Sequence, residues 1–364
     1  MSDLPTDVIH DILSRLPVKT LLQFRCVSKL WCALIDSPNF IKSHLKRSIE
    51  NQNNVSLVLE GDGLYSVNFE SLDKAVKLDD PLKSESYRTE VFGSCNGLLC
   101  LFNTEKGMVL WNPSTRKHRK LLVPLGEFCK HQFIVYGFGH DVVNDDYKVV
   151  RIVQFNGMMH SEVKIYSLKL NSWRRIPDLP YHLRYKRVNG MLVSGALHWI
   201  VTRKPFDTAN LIAAFDIGNE KYTLVPQPEY SHKDFIMYLG VLGENLSIFC
   251  NYYLVRIDIW VMKEYGVKES WTKLFSFAQP SVIRSFQYMR PIAYSKSGEE
   301  ILLEHDDEKF LHKKFIWYDL EKETLKNIRI RDMPNPLFSA DICLGSLVPL
   351  GSDGGCDGKR LQAQ

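Results

Sequence analysis

Residues 109–122 read VLWNPSTRKHRKLL: an apolar run that ends in Trp111, a polar turn with Pro113, and a second run rich in basic residues. Short apolar runs bounded by Gly, Pro, Asn and Asp are typical of β-strands joined by turns. The unit recurs along the chain, with its apolar-aromatic segments at residues 109–112, 164–167, 213–216, 258–261 and 315–318. The sequence after about residue 52 therefore predicts a repeat of small antiparallel sheets.

The spacing of these repeats indicates how the sheets are arranged. The aromatic residues of the segments, Trp111, Tyr166, Phe215, Trp260 and Trp317, follow one another at intervals of 55, 49, 45 and 57 residues. A period near 50 with about four strands per unit is typical of kelch-like β-propeller blades. With a degenerate first unit at residues 55–78, the sequence predicts about six blades.

The segment at residues 339–349 follows the last repeat and is again apolar. We expect it to return and pair with the first blade, because ring closure by strands from both ends leaves no open sheet edge. The alternative is a pair of β-sandwiches or an irregular all-β domain, since the repeat is uneven.

The first fifty residues have a helical period instead. Apolar residues recur at positions 8, 9, 12, 13 and 16, and Pro17 then ends the helix. Ser37 and Pro38 have the pattern of an N-cap followed by a first-turn proline. Three or four such short helices carry more apolar surface than they can bury alone. They either bind a partner or cap the larger domain, and periodicity does not separate these two interpretations.

Composition excludes several classes of function. The chain has 364 residues and a formal net charge of +4, which is too weak to indicate nucleic acid or an anionic membrane as a partner. No apolar run approaches the roughly 20 residues of a spanning helix, and the acidic N-terminus does not resemble a secretory leader. The eight cysteines form no CxxC pair. We expect a reducing compartment, the cytoplasm and/or the nucleus.

No residue pattern indicates catalysis, a metal or a cofactor. Residues 136–141 lack the third glycine of a dinucleotide-binding loop. The acidic residues Glu304, Asp306, Asp307 and Glu308 are expected at a solvated hairpin tip rather than at a metal. We therefore expect a non-catalytic protein without a cofactor. A propeller enzyme whose residues meet only at the central channel stays open as a rival.

The N-terminal helices carry a recognisable pattern. Residues 4–31 read LPTDVIHDILSRLPVKTLLQFRCVSKLW, which closely resembles the F-box consensus, including both Leu-Pro pairs and the Val-Ser-Lys-x-Trp ending. In the F-box family this module binds the acidic SKP-type adaptor, which links it to a cullin and a RING protein. The resemblance assigns adaptor binding to Leu4, Pro5, Val8, Ile12, Leu13, Leu16, Pro17, Leu21, Leu22, Val27 and Trp31. It does not separate interface residues from core residues.

The β-rich part carries a second resemblance. Residues 93–101 and 110–117 look like the opening of the plant F-box-associated domain, and residues 136–151, 194–199 and 258–262 resemble its later blocks. The family includes S-locus-type and kelch-type F-box proteins of plants, although the kelch double glycine is absent here. The resemblance implies a multidomain α + all-β chain, with an F-box at 1–46 and a β-propeller for substrate recognition at 53–350. The tail at 351–364 is polar and has no periodicity, so we expect it to be disordered.

The function implied by both resemblances is that of the substrate-recognition subunit of an SKP–cullin–F-box (SCF) ubiquitin ligase. The alternative is a non-ligase protein-binding propeller with a vestigial F-box. The substrate is a protein whose identity the sequence does not reveal. Candidate contacts are Tyr185, Tyr230 and Phe235, which lie in the predicted loops at residues 182–187 and 230–235. These loops are equally interpreted as solvated connections.

Overall fold

The computed structural model describes residues 5–122, 132–155, 157–186, 188–232, 234–252, 255–278, 289–307, 312–334, 337 and 339–351. Four helices come first: α1 (Thr6–Ser14), α2 (Val18–Phe24), α3 (Lys29–Ile35) and α4 (Pro38–Glu50). The longest described helix has 13 residues. No helix in this part of the chain is long and apolar enough to cross a membrane.

The helix boundaries follow from caps and prolines. Ser28 Oγ accepts a hydrogen bond from Trp31 N at 3.1 Å, and Ser37 Oγ accepts one from Phe40 N at 3.3 Å. These are N-cap contacts, and Pro38 occupies the first turn of α4 as the sequence indicated. We call residues 5–50, which contain all four helices, the helical module.

The strands begin at Val55. In chain order they are β1 (Val55–Glu60), β2 (Leu64–Asn68), β3 (Ala75–Lys77), β4 (Glu90–Cys95), β5 (Leu98–Asn103), β6 (Gly107–Asn112), β7 (Lys117–Leu121), β8 (Gln132–Asp141), β9 (Asp146–Phe155), β10 (Ser161–Ser167), β11 (Ser172–Ile176), β12 (His182–Leu183), β13 (Met191–Val193), β14 (Ala196–Thr202), β15 (Leu211–Asp216), β16 (Tyr222–Val225), β17 (Ile236–Leu242), β18 (Asn245–Tyr252), β19 (Arg256–Met262), β20 (Trp271–Ala278), β21 (Met289–Tyr294), β22 (Glu300–Asp307), β23 (His312–Asp319), β24 (Thr324–Asn327) and β25 (Ser339–Leu344).

These strands form six antiparallel sheets, which confirms the prediction of about six propeller blades. Blade one has the order β25-β1-β2-β3, and blades two to six follow in chain order. The last strand closes the ring, because β25 pairs antiparallel with β1 from Val55↔Leu344 to Glu60↔Ser339. The predicted return of the C-terminal segment is therefore correct.

Blade four departs from this regular plan. Its innermost position is occupied by two short strands, since both β12 and β13 pair with β14. The described residues between them, 184–186 and 188–190, leave the line of the strand. Gly190 N of this insertion donates to Tyr136 O of blade three. Arg184 N at its other end donates to Ile200 O, so the insertion is anchored at both ends.

The propeller has two faces, which we name by the direction of its innermost strands. In a closed ring of blades with the same strand order, all the innermost strands run in the same direction along the central channel. They begin at the upper face and end at the lower face. The Asn96-Gly97 turn between β4 and β5 lies on the lower face, and both of its residues have positive φ, as a type I′ hairpin requires. A Cβ at Gly97 would lie 2.4 Å from Leu344 O, so only glycine fits there.

The helical module sits on the lower face. Lys42 Nζ of α4 forms an ion pair with Asp145 at 2.8 Å, and Ile41 and Leu45 pack against the core between blades two and three. The segment after β25 passes between the two parts, and its Leu347 joins the core of the helical module. Asn112 Nδ2 fixes this segment by donating to the carbonyls of Ser346 and Val348 at 3.1 and 3.0 Å.

The expectation of a solvated acidic hairpin tip is wrong for Glu304. This side chain is fully buried and lies 2.9 Å from Arg290 Nη2, and Lys313 forms a second ion pair with it. A buried carboxylate needs such partners, since an unpaired one is costly. The tip residue Glu308 and the side chains of Asp306 and Asp307 lie outside the described residues.

Candidate protein-interaction sites

The helical module sorts its predicted adaptor contacts into three groups. Leu13 and Leu21 are buried in its core, together with Val18, Ile35 and Phe40. Leu16, Leu22 and Trp31 are half-buried at the edge of this core. The exposed members are Pro5, Val8, Ile12, Pro17 and Val27, and Leu4 lies outside the described residues.

Geometry explains this division on α1. Val8 and Ile12 are four residues apart and share one side of the helix, whereas Leu13 is rotated by about 100° toward the core. The exposed fractions are 42% for Val8 and 48% for Ile12, against 1% for Leu13. The apolar stripe read from the sequence is therefore wider than the face that α1 buries.

A second exposed group lies at the start of α3. Val27 is 61% exposed and Leu30 is 62% exposed. Leu30 is not among the predicted adaptor contacts. Its three-residue spacing from Val27 could have indicated that the two side chains share a surface.

Ion pairs hold the module rigid behind these side chains. Arg47 Nη1 donates to Asp11 Oδ1 at 2.9 Å and to Ser14 Oγ at 2.6 Å, which ties α4 to α1. The hydrogen bonds from Arg47 and Arg15 hold the pKa of Asp11 below its usual value. His44 Nε2 donates to Leu16 O at 3.0 Å, and burial lowers the pKa of this imidazole.

The predicted substrate contacts converge on the propeller. Tyr185, Tyr230 and Phe235 are all half-buried and pack against the core between blades four and five. The ring of Tyr185 stacks on Tyr238 at 6.3 Å, and the rings of Tyr230 and Phe235 are 4.8 Å apart. All three lie on the upper face, and their role in substrate binding stays a prediction.

The two predicted loops are only partly loops. His182 belongs to β12 and is buried, so the prediction that residues 182–187 form a free loop is wrong at its first two positions. Leu183 N donates to the buried Gln154 Oε1 at 2.7 Å, and this hydrogen bond explains why residues 182 and 183 form a strand instead of a free loop. Arg187 and Lys233 lie outside the described residues.

A buried ionic cluster joins blades one and six. Arg290 Nη2 donates to Ser339 Oγ at 3.3 Å and contacts Ala340 O, so β25 is held to β21 as well as to β1. Nearby, burial raises the pKa of Asp341 and raises the pKa of Glu60 to about 8. The Arg290 and Glu304 pairing makes the cluster a structural tie. In the ranges described above, no three His, Cys, Asp or Glu side chains are placed to hold a metal ion.

The fold and its two surfaces define a closed six-bladed propeller that carries a small helical module with an exposed apolar side. Comparison with known families agrees with this class. Residues 1–43 match the F-box domain, and residues 55–349 match the F-box associated beta propeller domain. The chain belongs to the family of F-box proteins with an F-box-associated β-propeller.

Curated relatives cover nearly the whole chain. It is 40% identical to F-box protein CPR1 of Arabidopsis thaliana over 97% of this chain and 90% of that protein. It is 35% identical to F-box protein At4g22390 of the same plant over 100% of this chain and 93% of that protein. F-box/kelch-repeat protein At3g23880 is 30% identical over 83% of this chain and 85% of that protein.

Proposed function

We propose that this chain is the substrate-recognition subunit of an SCF ubiquitin ligase and directs a target protein to ubiquitination and proteasomal degradation. The observation that carries the proposal is the exposed aliphatic set of the F-box, Val8, Ile12, Val27 and Leu30, beside a core that is already closed. Fully burying one such side chain contributes about 1.5–3 kcal/mol. An SKP-type adaptor would cover these residues.

Charge supports the same partner. Lys19 and Lys29 are exposed on the helical module. Neither lysine has a carboxylate within 4.0 Å in the described part of the chain. The family's adaptor is acidic, and complementary charge speeds association and fixes orientation. The adaptor would in turn connect the chain to a cullin and a RING subunit, in the cytoplasm or the nucleus.

The role proposed for the chain is positioning rather than catalysis. Ubiquitin transfer would be done by other subunits, and this chain would hold a substrate lysine near the charged ubiquitin. That role requires the F-box and the propeller to keep a fixed relative position. The ion pair of Lys42 with Asp145 and the insertion of Leu347 into the F-box core fix the two parts relative to one another.

The test replaces exposed side chains without touching the core. Ile12→Asp and Leu30→Asp should each weaken binding to a purified SKP-type adaptor at least about tenfold, because each 1.4 kcal/mol is one decade. Leu224→Asp is the matched control, since Leu224 is 40% exposed on β16 of the propeller. Circular dichroism should show all three variants folded.

Proximity labelling with the proteasome blocked extends the test to the substrate. The full chain and its Ile12→Asp variant should label the same target proteins, and only the full chain should promote their ubiquitination. If the unmodified chain bound no SKP-type adaptor and no cullin, the F-box would be vestigial and the chain would be a protein-binding propeller outside any ligase.

A further inference from the structure

The upper face carries exposed apolar side chains where blades three and four adjoin, and the propeller core does not use them. Phe206, in the β14–β15 connection, is 88% exposed, and Met158, in the β9–β10 connection, is 58% exposed. The two connections meet, because a Cβ at Gly157 would lie 3.6 Å from Phe206 Cζ. An exposed aromatic beside a methionine is the composition of a protein-binding surface rather than of an ordinary turn.

The backbone at Phe206 is strained. Asp207 N donates to Lys204 O, and Pro205 occupies the second position of this turn. Phe206 then has φ of 63°. The third position of such a turn requires positive φ and is normally filled by Gly or Asn. A bulky aromatic there costs backbone energy, and such cost is characteristic of functional positions.

Positive charge surrounds this aromatic residue. Arg184, Arg203 and Lys204 are all exposed. In the described ranges none of the three has a carboxylate within ion-pair distance, although other surface cations do. The one acidic residue in the connection is Asp207, whose Oδ1 already accepts from Ala209 N at 3.1 Å. The cations are therefore available to a partner.

The three segments that carry these residues are fixed before any partner arrives. The fully buried amide of Gln154 donates to Met159 O at 3.4 Å and to Tyr181 O at 2.9 Å, and its oxygen accepts from Leu183 N. Arg184 Nη1 donates to Asp207 O at 2.9 Å, which joins the third segment. Binding to a preorganised surface avoids much of the entropy cost of ordering loops.

This surface lies far from the F-box. Asp145, which pairs with Lys42 of the F-box, precedes β9, and Gln154 is near the other end of that strand. Nine residues of β-strand span about 30 Å. A partner on blade four therefore leaves the adaptor contacts free.

We propose that this surface binds an acidic segment of the substrate protein, in which Asp or Glu residues flank an apolar anchor. We name it the blade-four surface; it consists of Met158, Arg184, Arg203, Lys204 and Phe206. This inference rests on the proposed function, because it names the class of substrate. A protein segment fits better than a nucleic acid. Three cations around an apolar centre are a compact site, whereas a nucleic acid needs a basic stripe along its backbone.

The test uses a displayed library of random 12-residue peptides and the full chain. Selection runs in parallel on the unmodified chain and on the variant Arg203→Glu with Lys204→Glu, which keeps the contact of Arg184 with Asp207 O. We expect peptides with a large apolar residue among several Asp or Glu to be enriched on the unmodified chain only. Equal enrichment on both proteins, or enriched peptides without an acidic bias, would overturn the proposal.

A second variant separates binding from folding. Phe206→Asn relieves the positive φ, so the variant should melt at the same temperature as the parent or higher. Its affinity for a synthetic copy of the most enriched peptide should nevertheless fall at least about tenfold, as expected for loss of a central anchor. Lys120→Glu, on the outer strand of blade two, is the control and should bind the peptide normally. Unchanged peptide affinity of Phe206→Asn would contradict the assignment.

Two further measurements separate the remaining outcomes. Single-stranded RNA or vesicles containing phosphatidylserine should bind more weakly than the peptide, and tighter binding that the double variant abolishes would assign the surface to those partners instead. Adaptor binding by the double variant should equal that of the parent. If the parent failed to bind the adaptor but still selected acidic peptides, the ligase role would fail while the blade-four surface stood.

Discussion

In the propeller each sheet covers the next one around the ring, and the strand from the C-terminal end closes the first blade. In the helical module the core consists of five buried apolar side chains of its own and a sixth, Leu347, that the propeller supplies. Five large aliphatic side chains of the module are nevertheless exposed: Val8, Ile12, Val27, Leu30 and Ile49. The difference shows that the helical module takes part of its core from the propeller, whereas the propeller closes its ring with its own strands.

The first prediction breaks the ring. A chain that ends at Leu337 lacks β25 and the ties of Ser339 and Ala340 to Arg290. We expect it to lose cooperative unfolding of the whole propeller, because β1 becomes an open edge and the cores beside blade one lose a wall. A chain that ends at Gly351 is the control and should melt like the parent. A melting transition that stays cooperative at the parent's temperature in the shorter chain would show that closure is not needed.

The second prediction breaks the connection between the two parts. Leu347→Ala removes a side chain from the F-box core, and buried Leu→Ala changes cost about 2–5 kcal/mol. We expect faster hydrogen exchange in α1 to α4 and weaker adaptor binding. Leu179→Ala is the matched control, because Leu179 is also buried but belongs to a core between blades three and four that includes no residue of the helical module. Equal effects of both substitutions on the helices would mean that Leu347 has no special role.

The third prediction sharpens the division within the F-box. Val27→Asp should abolish most adaptor binding while the melting temperature stays within about 2 °C of the parent, since surface substitutions usually change stability by under about 0.5 kcal/mol. Leu21→Ala should instead lower the melting temperature. It should weaken adaptor binding only to the extent that the helical module unfolds. Calorimetry and adaptor titration of the same samples would distinguish the two. A destabilised Val27→Asp would place Val27 in the core.

The sequence predicted the repeat, the ring closure and the F-box because each depends on a pattern that is local in the chain. Trp111 and its counterparts recur at nearly regular spacing, and Pro17 and Ser37 mark helix ends. It could not separate Val8 from Leu13, since both belong to one apolar stripe and only packing decides which side is covered. Glu304 was misread for a related reason: its partner Arg290 is 14 residues away and lies on the neighbouring strand.

The smallest effect that we predict tests how far the propeller tolerates buried charge. Glu60 lies in β1, accepts from Val91 N at 3.1 Å, and is flanked by Asp341, Glu90 and Arg88. Burial, with Asp341 as the next cause, raises its pKa from 4.5 to about 8. A raised carboxyl pKa in the folded state means that the protonated form stabilises the fold. That stabilisation is complete below about pH 4.5 and is lost as the pH rises through 8.

The matching substitution is Glu60→Gln, whose amide oxygen can still accept from Val91 N. We expect the parent's melting temperature to fall between pH 6 and pH 9, and the fall to be smaller in Glu60→Gln, so that the variant is the more stable protein at the higher pH. Glu244→Gln, on an exposed turn, should keep the parent's profile. If Glu60→Gln melted below the parent at pH 9, the carboxylate would have a favourable partner there, and the ring would depend on that charge instead of tolerating it.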